Sequence, residues 1–362
     1  MQIELRDLQE YLKRRAGAAV RIEEARPLGE PGGAAALKQF AYGRPLLVRY
    51  CVGDQTFQVV FHRIRHNAFG RERDDDRVAA VWLDFNTFNR LPCHVPALDM
   101  AMRTKEGEVH SISSAREVLL VTAYRPGRPY AGDLIRIRDE GTMRPLDIKR
   151  AEALASYLAE IHQVRCDEKM LWRRRLRDLV GHGEGIMGLT DSYPENLPYL
   201  TSAELLSIEE AANHWRWRLK PLSHRLSQVH GDFHPFNILF EEGLEFHVLD
   251  RSRGEWGEPA DDVSCMTINY LFFSLQRSGC LEGPFRELHE RFWEQYLSLR
   301  PDEELLTVIQ PWFAWRALVL ASPVWYPTLP EEVRRTLLRF THRVLSMERF
   351  DYREVNRYLA EN

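Results

Sequence analysis

Three oxygen-bearing side chains occur within a short part of the sequence. Residues 230–237 read HGDFHPFN, two short apolar runs follow with a Glu-Glu-Gly turn between them, and Asp250 comes directly after the second run. If the two runs pair as a β-hairpin, the residue that enters the first strand lies beside the residue that leaves the second. Asn237 and Asp250 are therefore predicted to meet at one end of the hairpin, with Asp232 in the loop just before them.

An amide and two carboxylates grouped in this way suit the transfer of a phosphoryl group. Mg²⁺ prefers hard oxygen ligands and takes few of them from the protein, so Asn237 and Asp250 are candidates to hold it while phosphate oxygens and water complete its coordination. A further carboxylate is needed to orient an acceptor hydroxyl and to take its proton. Asp232 is the candidate for this role, because here it is not the carboxylate that holds the metal.

Two histidines, His230 and His234, flank Asp232. They are placed with the catalytic residues as hydrogen-bonding partners rather than as zinc ligands, because no third nitrogen or sulfur ligand stands at a spacing typical of zinc sites. The five cysteines are scattered and include no C-x-x-C pair, which indicates ordinary thiols in a reducing compartment. The alternative for the whole segment, a loop with Asx turns beside an unrelated hairpin, is disfavoured by the spacing and the flanking apolar runs.

The first 123 residues are predicted to form a small strand-rich lobe, which an amphipathic helix opens and which contains a second helix at 77–88. The Gly53-Asp54 pair indicates a hairpin turn between two of its strands. The glycine-rich segment at 29–33 is either a plain surface turn or a loop whose backbone covers phosphates. The predicted strands are residues 20–28, 45–52, 56–64 and a buried strand at 117–123.

Residues 124–130 are rich in proline and glycine, and they are the predicted hinge between two lobes. Beyond them helical periodicities dominate, apart from the strand pair near residue 240. The sequence therefore predicts an α+β chain, with a nucleotide-binding lobe at 1–123 and a helical lobe at 131–362 for catalysis and acceptor binding. The main predicted helices are residues 148–164, 204–219, 262–275, 285–299, 305–321 and 331–347.

The chain resembles the aminoglycoside phosphotransferase family, the antibiotic and small-alcohol kinases that share the protein-kinase fold. Three motifs in order carry the resemblance: H-G-D-x-H-P-x-N at 230–237, an apolar hairpin that ends in Asp250, and GEPADDV at 257–263. Residues 158–162, LAEIH, and 119–128 are similar to the family's L-A-x-L-H helix end and to its hinge strand. The C-terminal helices match the family only in kind.

The resemblance implies a small β-rich lobe and a larger helical lobe of the protein-kinase type, with ATP and Mg²⁺ as cofactors. It makes Asp232 the catalytic base, Asn237 and Asp250 the magnesium ligands and nucleotide contacts, and Asp262 a buried carboxylate that braces the catalytic loop. The hinge strand of the family hydrogen-bonds adenine through its backbone. The corresponding residues in this chain are Thr122, Ala123 and Tyr124.

The sequence departs from the family at the cation that binds the α- and β-phosphates. The family carries a lysine in its third strand, whereas this chain has His62 and Arg63 there and only six lysines in all. His62 is the aligned candidate, and Arg63 and Arg65 are alternatives because arginine can bind phosphate in a bidentate way. The glutamate partner of the lysine is not identified, since Glu72 precedes the core of the next helix. Many relatives carry a second acid two residues after the metal-binding aspartate, where this chain has Ser252.

Together these features predict a phosphotransferase that moves the γ-phosphate of ATP to a hydroxyl of a small molecule, such as an aminoglycoside, a sugar or an amino alcohol. A protein kinase is disfavoured because no long segment separates Asp250 from the motif at 257–263. A catalytically silent scaffold protein remains the alternative, which the missing strand lysine supports. A polycationic aminoglycoside would need acids around its pocket. The candidate acids are Asp191, Glu195, Glu255 and Glu258.

The composition argues against several classes of partner. A formal net charge of -4 gives no electrostatic reason to bind nucleic acid or an anionic membrane. The first residues carry acids where a signal peptide needs a positive charge and an apolar run, and the apolar runs are far shorter than the roughly 20 residues that span a bilayer. The chain is therefore expected in the cytoplasm, with a small hydroxylated acceptor and without nucleic acid or a membrane as partners.

Overall fold

The computed structural model describes residues 4–28, 45–251 and 253–360. Two features of the sequence, the glycine-rich segment at 29–33 and Ser252, lie outside these described residues. Both therefore stay at the level of sequence prediction, and the positions of all other candidate residues follow from the structure.

The chain falls into two units, Met1–Thr122 and Ala123–Asn362. The first unit contains the longer strands, and the second is mainly helical. This division confirms the predicted α+β class with a small β-rich region and a larger helical region. The functional assignment of the two lobes, and of residues 124–130 as the hinge between them, stays a prediction.

The first unit is built around an antiparallel sheet in the order β1–β2–β3, and β4 pairs with β5. Gly53-Asp54 connects β2 to β3 as predicted, and Gly53 has a φ of 58°, which glycine adopts without steric cost. Helix α1 buries Leu8, Tyr11 and Leu12 against this sheet. The elements are α1 (Leu5–Ala16), β1 (Val20–Pro27), β2 (Leu46–Val52), β3 (Gln55–Phe61), α2 (Asp74–Thr87), β4 (Ala101–Arg103) and β5 (Val109–Ser111).

The buried strand predicted at 117–123 is wrong. These residues form neither strand nor helix, and Val118 and Leu120 are 80% and 90% exposed. An apolar run becomes a strand only when its backbone groups find a neighbouring strand, and within the described residues this run pairs with none. Strand β3 also ends at Phe61, so that His62 and Arg63 follow the strand instead of lying within it.

The second unit packs its helices around α8, whose residues from Pro259 to Leu275 are all buried. A helix that is buried on every side lies at the centre of a domain, and here α3, α9 and α10 pack against α8. The helices of the unit are α3 (Tyr130–Glu140), α4 (Pro145–Ile161), α5 (Lys169–Gly181), α6 (Ile186–Ser192), α7 (Ser202–Leu219), α8 (Pro259–Ser278), α9 (Gly283–Leu299), α10 (Gln310–Ala321) and α11 (Glu331–Ser346).

Short strands complete the second unit and surround the HGDFHPFN segment. The predicted hairpin is present, and it gains a third strand because β6 pairs with β8, which in turn pairs with β9. In a second pair, β7 precedes the β8–β9 hairpin in the sequence and β10 follows it. The strands are β6 (Arg128–Pro129), β7 (Ser227–Gln228), β8 (Ile238–Phe240), β9 (Phe246–Val248) and β10 (Trp256–Gly257).

The predicted helices of this unit are present with small shifts of their ends. Helix α10 begins at Gln310 instead of residue 305, because Pro311 occupies its first turn and a separate 3₁₀ turn, Glu303–Thr307, precedes it. Helices α3, α5 and α6 were not predicted. Among the described residues, no helix combines the length and apolar character needed to cross a membrane.

Helix α9 carries a buried histidine that couples the stability of the second unit to pH. His289 is 2% exposed, and one ring nitrogen lies 3.1 Å from the Tyr352 carbonyl oxygen. Burial lowers the pKa of His289 to about 4, so the folded protein keeps the ring neutral while the unfolded chain becomes protonated below its ordinary pKa of 6.5. Stability that is present above pH 6.5 is therefore lost as the pH falls towards 4.

We expect the free energy of unfolding to fall by about 2–3 kcal/mol between pH 7 and pH 4.5 on account of His289. Urea unfolding at both pH values measures this difference. A His289→Gln variant keeps a donor for the Tyr352 carbonyl and does not titrate, so its loss of stability over the same interval should be smaller by that amount. Equal losses in the two proteins would contradict the assignment.

Candidate active site

The loop at 230–237 connects β7 to β8 and places Asp232 between two ordered strands. Gly231 has a φ of 86°, and a Cβ at this position would stand 3.3 Å from the Cβ of Arg253. A larger residue would therefore be strained in its backbone and crowded by its neighbour. The loop ends in a 3₁₀ turn, Pro235–Asn237, which leads directly into β8.

The register of the hairpin brings Asn237 and Asp250 to the same end of it. Ile238 pairs with Val248, and the backbone N–H of Leu249 donates to the carbonyl oxygen of Asn237 at 2.8 Å. Asp250 is exposed and has a φ of 53°, a left-handed conformation that aspartate tolerates better than most residues. The placement that the sequence predicted is therefore present in the backbone, while the role of the two residues as metal ligands stays a prediction.

The carboxylate of Asp232 is held by two arginines. Arg316 Nη1 donates to Oδ1 at 2.7 Å, and Arg253 Nη1 also lies 2.7 Å from Oδ1. His234 Nε2 stands 3.7 Å from the other oxygen, Oδ2. The side-chain amide of Asn237 donates to the backbone carbonyl of Asp232 at 3.1 Å, so the first residue of the hairpin is tied to the same loop.

These contacts keep Asp232 ionised. Burial of the carboxyl raises its pKa, but the positive charges of Arg316 and Arg253 outweigh burial and lower the pKa of Asp232 to about 2. At neutral pH the group is therefore a carboxylate. Such a group accepts a hydrogen bond from a hydroxyl and orients it, although its low pKa makes it a weak base.

The two histidines of the loop support its backbone. His230 is buried, and its Nδ1 stands 3.3 Å from the backbone N–H of Asp232 as the acceptor. His234 supports the following turn in the same way, since its Nδ1 accepts from the N–H of Phe236 at 3.2 Å. Burial lowers the pKa of His234, which favours the neutral ring that can accept this bond. Their place among the catalytic residues stays a prediction.

Asp262, at the start of α8, joins the core to this loop. Its Oδ2 accepts from the N–H of His230 and its Oδ1 from the N–H of Gly231, both at 2.7 Å. His162 Nε2 lies 3.1 Å from Oδ2, and the Asp262 side chain is completely buried. Burial raises the pKa of Asp262, but these hydrogen bonds outweigh it and lower the pKa below its ordinary value.

The hydrogen bonds of Asp262 extend through His162 to α9. His162 ends the LAEIH motif, and its Nδ1 lies 2.8 Å from the Tyr296 hydroxyl. Burial lowers the pKa of His162 and keeps the ring neutral. Arg300 in turn donates to the Tyr296 hydroxyl at 3.3 Å. The loop therefore rests on a buried network of polar groups instead of on apolar packing alone, and such a network defines one geometry when every member is bonded.

The sequence did not point to the arginines around Asp232. Arg316 lies on α10, Arg175 on α5, and Arg253 in the irregular segment after the hairpin. Arg175 Nη1 donates to the backbone carbonyl of Arg253 at 2.6 Å, and its Nη2 to Asp261 at 3.4 Å. Arginine is abundant in this chain. The side-chain contacts of Arg175 and Arg316 with acids join residues 55–86 positions apart, and the contact of Arg253 with Asp232 joins residues 21 positions apart, so no local pattern marks these three.

The other residues predicted to contact the nucleotide are far from this loop in the sequence. His62 and Arg63 are exposed and follow directly after β3. Thr122, Ala123 and Tyr124 are exposed and belong to neither a strand nor a helix. Their contacts with a nucleotide therefore stay a prediction.

The donor set at the hairpin end fits a hard divalent cation. Asn237 offers an amide oxygen, since its nitrogen is occupied by the carbonyl of Asp232, and Asp250 offers an exposed carboxylate. Mg²⁺ takes one or two such oxygen ligands from a protein and keeps several waters. The residues present therefore match the chemistry of this ion.

One of the acids suggested for a cationic acceptor is not available. Glu258 is 2% exposed, and both of its oxygens bind Arg225, with Nε at 2.8 Å and Nη2 at 2.6 Å. Its carboxylate is therefore neutralised within the fold. Asp191, Glu195 and Glu255 are exposed.

A loop and an aromatic side chain border the Asp232 site. The indole N–H of Trp315 donates to the backbone carbonyl of Glu184 at 2.7 Å. The guanidinium of Arg253 lies 4.9 Å from the Trp315 ring and pairs with the Glu184 carboxylate at 3.2 Å. The glycine-rich loop at 181–186, between α5 and α6, therefore contacts one of the arginines that hold Asp232.

Comparison with known proteins gives one match by family. A sequence model described as the phosphotransferase enzyme family matches residues 103–305, which is more than half of the chain and includes the loop, the hairpin and Asp262. A search of curated proteins gave no match. Arg316 lies beyond the matched residues.

Three solved structures that resemble this chain share less than 20% sequence identity with it. A glucosamine kinase in complex with glucosamine, ADP and inorganic phosphate is 18% identical, with a TM-score of 0.38, and the match covers 59% of each chain. An amicoumacin kinase in complex with AMP-PNP, Ca²⁺ and Ami is 14% identical over 96% of this chain and 97% of that chain, with a TM-score of 0.42. A Plasmodium vivax ethanolamine kinase is 11% identical over 94% and 82%, with a TM-score of 0.37.

Proposed function

Because the chain belongs to the phosphotransferase enzyme family, we propose that it transfers the γ-phosphate of ATP to a hydroxyl group of a small molecule. Membership confirms the resemblance to aminoglycoside phosphotransferases and the protein-kinase-like fold class that it implied. The observation that carries the proposal is one loop that presents an ionised carboxylate, Asp232, next to a hairpin end with an amide and a second carboxylate, Asn237 and Asp250.

Asp232 would act on the acceptor. Its Oδ1 is occupied by Arg253 and Arg316, so Oδ2 is the oxygen that can accept the acceptor hydroxyl. As the acceptor oxygen bonds to the γ-phosphorus, the bond from that phosphorus to the β,γ-bridging oxygen breaks, ADP leaves, and the hydroxyl proton passes to Oδ2. The pKa of Asp232, about 2, suits a late transfer of this proton, after the oxygen has lost most of its electron density to phosphorus.

Asn237 and Asp250 would hold Mg²⁺ through the amide and carboxylate oxygens. When bound, the ion neutralises charge on the phosphates and fixes their orientation. The chain's own contribution is to keep both residues on one hairpin end and to bond the Asn237 amide to the loop that carries Asp232.

The acceptor would lie against Trp315 and the loop at 181–186. Both reach the arginines of Asp232 through Glu184 and Arg253. The nearby acids Asp261, which is buried, and Glu184 are already paired with arginines. This surface therefore favours a neutral hydroxylated acceptor such as a sugar, or a monocationic amino alcohol whose ammonium group lies away from it, over a polycation.

A binding measurement separates this proposal from the scaffold alternative. Mg-ATP at about 100 times its dissociation constant should stabilise the protein by about 2.7 kcal/mol, which raises the melting temperature by roughly 5 °C in the presence of Mg²⁺. In Asp250→Asn the magnesium-dependent component of the shift should vanish. Glu255→Gln, which removes an exposed acid from the same segment, is the matched control and should keep the full shift.

A second assay tests transfer itself. A panel of sugars, amino alcohols and aminoglycosides is scored for ADP release above the rate of ATP hydrolysis without an acceptor. At least one neutral or weakly cationic hydroxyl compound is expected to stimulate release. Two results would overturn the proposal and favour a scaffold protein. Either the protein binds no Mg-ATP, or it binds Mg-ATP but none of the acceptors increases ADP release.

A further inference from the structure

We propose that Arg316 of helix α10 is a positioning residue for the catalytic carboxylate, fixing Asp232 so that one chosen oxygen faces the acceptor. This inference rests on the proposed function only for the role of Asp232. The positioning itself follows from contacts within the second unit. Arg316 belongs to the C-terminal helices, outside the residues that match the family.

Arg316 bonds to three groups of the active-site framework. Its Nη1 donates to Asp232 Oδ1 at 2.7 Å, and its Nη2 to the backbone carbonyl of Gly231 at 3.1 Å and to Asp261 Oδ1 at 2.5 Å. One planar guanidinium therefore fixes a side chain and a backbone group of the loop relative to α8. The fork geometry of arginine allows this, while the single nitrogen of lysine cannot reach all three groups in one plane.

The Arg316 side chain has little freedom of its own. The residue as a whole is 6% exposed, and its guanidinium lies 3.9 Å from the ring centroid of Trp315. Burial lowers the pKa of Arg316, but the carboxylates of Asp261 and Asp232 outweigh burial and raise it above its ordinary value. The group is therefore a permanent cation in a fixed rotamer. A rigid donor on a helix sets the position of its acceptor more exactly than a donor on a loop does.

Arg253 binds the same Asp232 oxygen, Oδ1, as Arg316 does, but its side chain is less firmly held by the fold. Its side chain is 19% exposed, against 7% for Arg316, and it extends from the irregular segment after the hairpin. Both arginines choose the same oxygen, which leaves Oδ2 with His234 at 3.7 Å. The structure assigns the fixed orientation of the carboxylate to the helix-borne Arg316.

A purely structural arginine offers a matched comparison. Arg334 on α11 is also buried, at 4% exposed, but its described bonds go to backbone carbonyls, those of Ala321 at 2.7 Å, Leu329 at 3.2 Å and Tyr326. Replacing Arg334 should therefore destabilise the fold without moving Asp232. Replacing Arg316 should destabilise the fold and also move the Asp232 carboxylate.

The test compares Arg316→Lys, Arg316→Ala and Arg334→Ala. For the Arg316 variants we expect kcat to fall by about tenfold to thirtyfold while the dissociation constant of Mg-ATP changes by less than about twofold, because a small displacement of a reacting group acts on the chemical step. Arg316→Lys should retain more activity than Arg316→Ala. Millimolar guanidinium should restore some of the activity of Arg316→Ala, whereas methylammonium should not, and neither should affect Arg334→Ala.

Crystal structures of the same variants decide the question independently of turnover. In Arg316→Ala the Asp232 carboxylate should rotate away from its wild-type position, and in Arg334→Ala it should stay. An unmoved Asp232 in folded Arg316→Ala, or an unchanged kcat, would overturn the proposal. If wild-type protein transfers no phosphate, the proposed function fails, and the position of Asp232 in the crystals still confirms or overturns the positioning role.

Discussion

An Asp232→Asn variant is expected to lose transfer activity by about 10²- to 10⁴-fold, the range over which a positioned proton acceptor contributes. The asparagine keeps the size of the side chain and can still accept from Arg316 and Arg253, but it cannot take the proton of the acceptor hydroxyl. Mg-ATP binding should remain close to that of the wild type, because Asn237 and Asp250 are unchanged. ADP release with the best acceptor, together with Mg-ATP titration, measures the two quantities separately.

Asp302→Asn provides the control for this prediction. Burial raises the pKa of Asp302, but Arg225 and Arg300 outweigh it and lower the pKa to about 2, as for Asp232. Its described hydrogen bonds are with those arginines and with the backbone of Leu305, and they include none to the loop at 230–237. The variant should be less stable and should keep its kcat. Loss of both turnover and Mg-ATP binding in Asp232→Asn would mean that the assignment of the base is wrong.

The central hairpin could be predicted from the sequence because its signals are local. Apolar runs on both sides of a Glu-Glu-Gly turn define the two strands, and the register then places Asn237 and Asp250 without further information. The loop before it is equally local, since a glycine with positive φ and a proline stand at fixed spacing around Asp232. Sequence reasoning succeeds where a few neighbouring residues decide the geometry.

Contacts between distant regions of the chain could not be predicted in the same way. Arg316 and Asp232 are 84 positions apart, and the link exists because α10 packs against α8. Arginines are frequent in this sequence, and their chemistry alone does not distinguish Arg316 from those that bind surface acids. The environment that sets the pKa of Asp232 therefore became visible only in the folded chain.

The failed strand at 117–123 shows a limit of another kind. Its run of β-branched and aliphatic residues has the composition of a buried strand, but side chains from Val118 to Val121 are 74–90% exposed. The composition of a segment indicates whether it can form a β-strand. Whether the strand forms depends on hydrogen bonding to a neighbouring strand. A Pro/Gly segment follows this run, and there β6 does find a partner, because Arg128 and Pro129 pair with Phe240 and Leu239.

Replacement of Asp262 by asparagine is expected to reduce both stability and turnover. The carboxylate accepts three hydrogen bonds, from the N–H groups of His230 and Gly231 and from His162. An amide offers one oxygen and turns its NH₂ towards a donor, so at least one buried N–H loses its partner at a cost of about 1–3 kcal/mol for each group. The loop then shifts relative to α8, and a displacement of Asp232 by about 1 Å can lower the rate by about 10²-fold.

Glu258→Gln separates the two effects, because Glu258 is another buried acid at the start of α8 whose described bonds go to Arg225 and the N–H of Ala260. Replacing the Glu258 carboxylate should destabilise the protein because it leaves the buried charge of Arg225 without this partner. It should leave kcat per folded molecule unchanged. Urea unfolding and kcat measured well below the transition quantify both variants. If Glu258→Gln lowers kcat as much as Asp262→Asn does, general loosening of α8 explains the effect. If only Asp262→Asn does so, the two hydrogen bonds that the loop backbone donates to Asp262 hold the Asp232 carboxylate in place.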